Sequence, residues 1–220
     1  MSEPLHSWNV TPAEARALQS TLSRQVQLQN RLPEMRFLAG VDVGFEQQGE
    51  ITRAAVVLLS WPSLQVVERV LVRQPTRFPY VPGLLSFREL PAVLQAFSQL
   101  QQRPDLVLCD GQGVAHPRRL GIASHLGLWL DVPTIGVAKK RLVGKHEEAG
   151  DAKGDTVPLL DKGEQIGTVL RSRVGVKPLF ISAGHRIDQP TAVEWVVRCL
   201  TRFRLPEPTH QAHRLASLEK

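Results

Sequence analysis

The stretch Leu106–Arg119, LVLCDGQGVAHPRR, decides the fold because a short apolar run stops at a carboxylate. Residues 106–109 have the composition of a buried strand, and Asp110 follows them directly, with Gly111 and Gly113 close behind. In open α/β sheets, ligands bind outside the carboxyl ends of the strands, so Asp110 lies where chemistry is usually found. A solvated Asp-Gly turn explains the same pattern, and a second carboxylate is needed to choose between the two.

Composition bounds the class of protein. The chain has 220 residues, which suits a single domain over 1–220 with a substantial core. Apolar runs fall short of the ~18 residues that a membrane span needs, and the N-terminus lacks an apolar signal core. Cys109 and Cys199 lie inside apolar sequence without a CxxC pair, which predicts buried free thiols and a cytoplasmic protein. A net charge of +6 favours a polyanionic partner over a membrane, although a merely soluble basic protein also fits.

The order of the predicted elements indicates a mixed α/β sheet. A capping box at Thr11–Glu14 opens a predicted N-terminal helix over 11–29. Three strand-like runs with short turns between them predict an antiparallel meander: 37–45, 54–61 and 64–72. Short buried strands at 106–110 and 134–138 then alternate with helices. A meander followed by β-α units is the order of an RNase H-like domain, which is a mixed sheet flanked by helices.

The last third of the chain contains the least regular segment. Residues 142–161 are polar, charged and Gly-rich, and they predict a partly mobile loop. After this loop, 165–171 and 179–183 predict a hairpin, and 191–199 predict a helix.

The run FLAGVDVGF at 37–45 places a carboxylate inside a predicted strand. Because side chains alternate along a strand, Asp42 faces away from the apolar residues and shares its face with Gly40 and Gly44. Glycine on both sides weakens a strand but leaves room for a ligand or another backbone. A buried Asp paired with Arg or Lys is the alternative. Asp42 and Asp110 on neighbouring strands would form a hard-oxygen site suited to Mg²⁺ or Mn²⁺ rather than Zn²⁺.

Three further side chains are candidates for this site. Glu89 could be another ligand, but Ser86–Glu89 is itself a capping-box pattern, and the residues alone favour the cap. His213 could be a ligand too, although on its own it is little better than a surface histidine. Lys139 follows a predicted strand and could stabilise negative charge on a phosphate, while a solvated basic turn explains it nearly as well.

The loop PYVPG at 79–83 carries the single tyrosine of the chain, Tyr80. Pro79 and Pro82 stiffen the loop on both sides of it. A stiff aromatic tip beside a basic surface is suited to stacking on bases or wedging between them. The open alternative is a tyrosine folded back onto the core as a turn anchor.

Six motifs, in order, closely resemble those of bacterial endonuclease V: GVDVG at 40–44, PYVPGLLSFRE at 79–89, DGQGVAHPR at 110–118, VPTIGVAKK at 132–140, GHR at 184–186 and LPEPTHQAH at 205–213. The similarity extends from about Leu38 to Ala216. The resemblance implies an RNase H-like fold and Mg²⁺, with Mn²⁺ as a substitute. It also implies DNA repair by hydrolysis of the second phosphodiester bond 3′ to deoxyinosine, which leaves 3′-hydroxyl and 5′-phosphate ends.

Carried over position by position, the resemblance gives each candidate a role. Asp42 and Asp110 match the metal-binding pair, Glu89 the third carboxylate, and His213 a position where the family has His or Asp. Lys139 matches a lysine near the scissile phosphate. Tyr80 matches a wedge that fills the space left by the displaced base. The DNA contacts expected from the resemblance are Tyr80, Pro79, Pro82, Gly83, Gly111, Gly113 and His116.

Two other functions stay open at this point. GVDVG also resembles the first phosphate motif of the actin and hexokinase group, but those phosphotransferases need two copies of the fold and this chain has length for one. A nucleic-acid-binding module without catalysis is the second alternative, and the carboxylates argue against it. We expect DNA containing deoxyinosine as the partner, RNA as an open second substrate, no membrane contact and a monomer.

Overall fold

The computed structural model describes residues 4–217, so the first three and last three residues of the predicted 1–220 domain lie outside it. The strands are β1 Phe37–Glu46, β2 Ile51–Ser60, β3 Val66–Pro75, β4 Leu106–Cys109, β5 Thr134–Ala138, β6 Thr156–Asp161, β7 Glu164–Leu170 and β8 Leu179–His185. The α-helices are α1 Pro12–Leu22, α2 Leu85–Phe97, α3 Ile122–Leu130, α4 Gln189–Arg198 and α5 Glu207–Ser217.

These strands form one mixed sheet in the order β3-β2-β1-β4-β5-β8-β7-β6. The meander of β1, β2 and β3 is antiparallel, as predicted. The strands β4 and β5 run parallel to β1, and β8, β7 and β6 complete the other side as antiparallel neighbours. The predicted mixed sheet flanked by helices is confirmed.

Helices cover both faces of the sheet, because apolar side chains project from both faces of its central strands. On one face, Ala39 and Val41 of β1 belong to a core that includes residues of α2 and α3. On the other face, Leu38 packs in a core that includes residues of α4, while Ala212 of α5 packs against Val57 of β2. Across residues 4–217, no helix combines the length and apolarity needed to cross a bilayer.

The first helix is shorter than the predicted 11–29. Its α-helical part ends at Leu22, and a 3-10 turn continues only to Gln25. Beyond that point the backbone of Gln27 pairs with the end of β8: its N–H donates to His185 Nδ1 at 3.2 Å, and its carbonyl accepts from the Arg186 N–H at 2.6 Å. This tertiary pairing replaces the helical hydrogen bonds that the apolar periodicity predicted.

The predicted loop 142–161 contains a strand that the sequence did not reveal. The strand β6 occupies its last six residues and pairs antiparallel with β7. Pro158 hides this strand in the sequence, but β6 is an edge strand, where a missing N–H is tolerated. The mobility of residues 142–155 stays a prediction.

Candidate active site

Asp42 and Asp110 lie side by side because β1 and β4 are parallel neighbours. The register pairs Val41 with Cys109, and the Asp110 N–H donates to the Val41 carbonyl at 2.9 Å. The next residue on each strand is therefore a carboxylate. Asp42 is 9% exposed and the side chain of Asp110 is 13% exposed. The fold thus concentrates two negative charges in a largely buried place.

Lys139 and His213 flank these two carboxylates. Lys139 follows β5 directly, and its ammonium forms an ion pair with Asp110. His213 on α5 has its Nδ1 2.7 Å from Asp42 Oδ2 and 3.3 Å from Lys139 Nζ. The second oxygen of Asp42 accepts from the Val43 N–H at 2.9 Å. The structure therefore brings together four of the five catalytic candidates in direct contact.

Gly40 explains how His213 reaches Asp42 across 171 positions of sequence. A Cβ at position 40 would lie 1.8 Å from the carbonyl oxygen of Pro208, near the start of α5. Only glycine lets α5 lie this close to β1. The space beside Gly44 is taken by Arg53, whose Nη2 would lie 3.1 Å from an added Cβ. Gly40 therefore makes room for another backbone, one of the two uses that the sequence left open, whereas Gly44 makes room for a side chain.

Glu89 is not a helix cap. The helix α2 begins at Leu85 with Leu84 as its N-cap, so Ser86 lies inside the helix and its Oγ contacts His125 Nδ1 at 3.0 Å. The capping-box interpretation is therefore wrong. Burial, together with the charges of Asp42 and Asp110, raises the pKa of Glu89 to about 8. The Glu89 carboxyl therefore lies close enough to Asp42 and Asp110 for both of their charges to affect its pKa.

The acidic cluster suits a divalent cation. Ligand atoms of Asp42, Asp110 and His213 all lie within 4.8 Å of one another. Burial and the charge of Asp42 raise the pKa of Asp110 to about 6, although Lys139 acts in the opposite direction. A cation among these groups would relieve the repulsion between the carboxylates. Carboxylate oxygens with one imidazole, and no thiolate, are donors that fit a hard metal ion.

A cavity of about 480 Å³ opens between this cluster and the loop 79–83. Tyr80 lines it and is 68% exposed, while Phe78 and Leu84, one at each foot of the loop, are buried. The alternative of a tyrosine folded onto the core is therefore wrong. Other predicted DNA contacts that line the cavity are Pro82, Gly83, Gly111 and His116.

Two predicted DNA contacts are buried. The N–H of Gly113 donates to Ser182 Oγ at 2.8 Å, and a Cβ at this position would lie 2.1 Å from the Ala183 carbonyl oxygen. His116 is 3% exposed, with its Nε2 2.8 Å from the Gly83 carbonyl oxygen. Burial lowers the pKa of His116 to about 4, so the ring is neutral. Both residues hold neighbouring protein groups, and their contact with DNA stays a prediction.

Sequence reasoning missed Gln19. It lies on the buried face of α1 between Ala15 and Leu22, and its Nε2 donates to the Gly83 carbonyl at 2.8 Å. The signal was a polar residue at a core-facing position of an amphipathic helix, where an apolar residue is expected. Such a residue must find polar partners in the interior.

The comparison with known families is decisive. The family model described as Endonuclease V matches residues 20–214. The chain belongs to the endonuclease V family. A curated relative, Endonuclease V of Nostoc punctiforme, is 59% identical over 213 residues, which cover 96% of this chain and 96% of the relative. The resemblance drawn from the six motifs is confirmed.

Solved structures of the endonuclease V family share the fold. Endonuclease V of Streptomyces avermitilis has a TM-score of 0.89 at 42% identity, over 96% of this chain and 93% of that chain. Endonuclease V of Ciona intestinalis was solved with a 23mer DNA containing an inosine followed by a ribo-adenosine. It has a TM-score of 0.84 at 28% identity, over 96% of this chain and 98% of that chain. The RNase H-like fold is therefore confirmed, and the phosphotransferase alternative is not favoured.

Proposed function

We propose that this member of the endonuclease V family is a DNA repair endonuclease that uses Mg²⁺ to nick DNA at deoxyinosine. The observation that carries the proposal is the cluster of Asp42, Asp110 and His213 beside a cavity with an exposed tyrosine. Family membership supports the endonuclease activity. The inosine-containing DNA bound by the Ciona intestinalis protein supports the substrate.

The proposed metal ligands are Asp42 and Asp110, with His213 and Glu89 completing the set. Their oxygen-rich chemistry supports Mg²⁺, with Mn²⁺ as a substitute. When bound, such an ion neutralises charge on a phosphate oxygen and lowers the pKa of water. Without a cation, the pKa of about 8 favours the protonated form of Glu89 at neutral pH, so metal binding at this carboxyl would displace a proton.

The remaining groups would act on the phosphate and the attacking water. Lys139 carries its ammonium at the same edge of the sheet as the aspartates, where it would stabilise negative charge that develops on the phosphate. Glu89 or His213 would complete the ligand set or orient the attacking water. In the proposed hydrolysis, the water oxygen bonds to phosphorus and the 3′-oxygen leaves with a proton. The products carry a 3′-hydroxyl and a 5′-phosphate at the second bond 3′ to the lesion.

Recognition of the base would be separate from hydrolysis. Taking a base out of the stack costs a few kcal/mol, and less when the base is poorly paired. The cavity of about 480 Å³ falls within the usual size range of ligand pockets. Tyr80, exposed at this cavity, would occupy the space that the displaced base leaves in the duplex.

The same proposal covers the partner, the oligomeric state and the compartment. DNA is the proposed substrate, and the nicking assay described below also includes inosine-containing RNA. The chain is proposed to work as a monomer because Asp42, Asp110 and His213 all come from one chain. Cys109 and Cys199 are buried free thiols, which fits the reducing cytoplasm as the proposed compartment.

A nicking assay tests the proposal. Matched inosine-containing DNA, inosine-containing RNA and adenine-containing control duplexes are incubated with and without Mg²⁺, and the cut is mapped at nucleotide resolution. We expect one nick, at the second bond 3′ to deoxyinosine, that disappears on chelation.

Two variants and a matched control complete the test. Asp42→Asn and Asp110→Asn should lose the nick, whereas Asp151→Asn, which makes the same change on a fully exposed side chain, should keep it. Nicking that survives chelation or both substitutions would contradict the metal role. Exclusive cleavage of the RNA duplex, or binding without any nick by the unmodified chain, would contradict the proposed activity.

A further inference from the structure

Three side chains converge on the carbonyl oxygen of Gly83. Gln19 Nε2 and His116 Nε2 each lie 2.8 Å from this oxygen, and Arg118 Nη2 lies 3.2 Å from it. A carbonyl oxygen has two lone pairs, so three donors saturate it. The donors come from α1 and from the segment after β4, which lie far apart in sequence. We call these three residues the Gly83 clamp.

The hydrogen bonds of the Gly83 clamp fix the protonation state of His116. The backbone N–H of Arg118 lies 3.1 Å from His116 Nδ1, so Nδ1 is the acceptor and carries no proton. The single proton of the neutral ring is then on Nε2, which donates to Gly83. Gln19 is equally constrained, because its Oε1 accepts from Arg118 Nε at 2.5 Å while its Nε2 donates to Gly83. With Gln19 1% exposed, water does not replace these partners.

The clamped carbonyl belongs to the turn 81–84, which directly follows Tyr80. The Leu84 N–H donates to the Val81 carbonyl at 2.9 Å, and Gly83 has a φ of +79°, as the third residue of a type II turn requires. A Cβ at position 83 would lie 3.0 Å from Arg118 Nη2. Glycine therefore serves both the turn and the close approach of the guanidinium. Fixing the orientation of this carbonyl fixes the turn next to Tyr80.

We propose that Gln19, His116 and Arg118 are positioning residues for base selection. Through the Gly83 carbonyl they hold the loop 79–83 in one orientation. Tyr80 and the adjoining cavity wall then present a fixed shape to a displaced base. The proposal rests on the proposed function and deepens it. All three residues act through Gly83 rather than on the reacting phosphate.

The single tyrosine of the chain provides a direct test in the free protein. Fluorotyrosine incorporation labels Tyr80 alone, and we expect one narrow fluorine NMR resonance from the unmodified sequence. His116→Asn shortens the side chain so that its amide no longer reaches Gly83, and it should broaden or split this resonance. His116→Gln places an amide nitrogen near the position of Nε2 and should restore the narrow line.

A second variant tests the clamp from α1. Gln19→Glu keeps the size of the side chain but replaces the donor to Gly83 with an acceptor, so it should also broaden the resonance. Ser20→Ala is the matched control, because Ser20 is an exposed neighbour of Gln19 on the same helix. Its Oγ donates to the Arg16 carbonyl, which lies one turn earlier in α1. This control should leave the resonance unchanged.

Kinetics separate positioning from a general loss of structure. The ratio of kcat/KM for inosine-containing DNA over adenine-containing DNA should fall roughly tenfold in His116→Asn and in Gln19→Glu. The loss should lie mainly in KM for inosine-containing DNA, with kcat changed by less than about threefold. His116→Gln should recover most of the ratio, and Tm measurements should show each variant folded.

The outcomes are distinguishable. An unchanged resonance and an unchanged ratio in both His116→Asn and Gln19→Glu would overturn the proposal, as would an equal loss of kcat on every substrate. If Gln19→Glu fails to fold, the comparison of His116→Asn with His116→Gln still decides. If the unmodified chain does not nick inosine-containing DNA, the proposed function fails, while the fluorine resonance still tests the clamp.

Discussion

The acidic cluster and the Gly83 clamp border one cavity, but different interactions hold them. Charged carboxylates dominate the cluster, whereas hydrogen bonds to one carbonyl oxygen form the clamp. The cluster places like charges together in a buried place, and burial together with this repulsion raises the pKa values of Glu89 and Asp110. The clamp joins a neutral histidine, an amide and the Arg118 guanidinium through hydrogen bonds to one carbonyl oxygen. A cation would relieve the repulsion that remains in the cluster. In the clamp, the hydrogen-bonding groups of Gln19 and His116 already have protein partners.

The comparison predicts its largest effect at Asp110. Replacing Asp110 with Asn removes one charge of the cluster and leaves the clamp intact, so nicking should fall by roughly a thousandfold or more. Binding to inosine-containing DNA in Ca²⁺ should change by less than about threefold. Single-turnover cleavage and fluorescence anisotropy measure the two. Equal losses of binding and cleavage would show that the two regions are not separable.

A smaller effect is expected at Lys139. Lys139→Met keeps the bulk of the stem and removes the charge that would face the phosphate, so kcat should drop by about a hundredfold. Lys177→Met, the same change at an exposed lysine, is the control. Saturating kinetics at several Mg²⁺ concentrations check whether added metal compensates. Full activity in Lys139→Met would contradict a catalytic role for this lysine.

Tyr80 tests the other side of the comparison. Because its side chain is exposed, Tyr80→Ala should leave the unfolding free energy within about 0.5 kcal/mol of the original. Discrimination between inosine and adenine should fall by roughly tenfold, since stacking on a base is worth ~1–3 kcal/mol. Tyr80→Phe, which keeps the ring, should retain it. Undiminished discrimination in Tyr80→Ala would contradict the wedge.

The subtlest prediction is that the two regions respond to pH in opposite directions. Glu89 has its pKa raised from 4.5 to about 8, so without a divalent ion the folded state holds the extra proton and stability falls as pH rises through this range. His116 has its pKa lowered from 6.5 to about 4, so the unfolded state holds the extra proton and stability falls as pH drops through that range.

Urea unfolding in chelator measures both slopes. Each proton contributes at most about 1.4 kcal/mol per pH unit. Glu89→Gln should remove a contribution to stability that falls between about pH 4.5 and 8, and His116→Gln should remove one that rises between about pH 4 and 6.5. Because the two contributions oppose each other where these ranges overlap, each variant is compared with the unmodified chain by the difference in slope. Slopes that stay identical to those of the unmodified chain would show that these two groups do not titrate as described.

The acidic cluster could be predicted from the sequence because charge stands out in apolar strands. Asp42 and Asp110 interrupt apolar runs, and parallel pairing then places them together. Lys139 follows β5 in the same way. Glu89 was harder, because a capping-box spacing occurs by chance and only the observed start of α2 excludes it. Local sequence patterns can therefore predict the site residues that lie on or directly after a strand, because strand register determines which residues are their neighbours.

The Gly83 clamp could not be predicted because its contacts cross long sequence separations. Gln19 meets Gly83 over 64 positions, and His116 reaches the same carbonyl over 33. Nothing in the local sequence of α1 indicates that Gly83 is the hydrogen-bond partner of Gln19. The same limit applies to the end of α1 and to β6, where tertiary pairing overrides the helical periodicity beyond Leu22 and the strand-breaking signal of Pro158. Sequence shows that a buried polar residue needs a partner, while the fold decides which one.

The close approach of α5 to β1 at Gly40 means that the acidic cluster is completed late in the synthesis of the chain. Asp42 leaves the ribosome 171 residues before His213, and the imidazole arrives only with α5. During translation the two aspartates can be paired on their strands while the third member of their cluster is still being synthesised. A chain stalled before α5 would carry both carboxylates of the cluster without its imidazole, so the proposed metal ligands are complete only after the last helix has been synthesised.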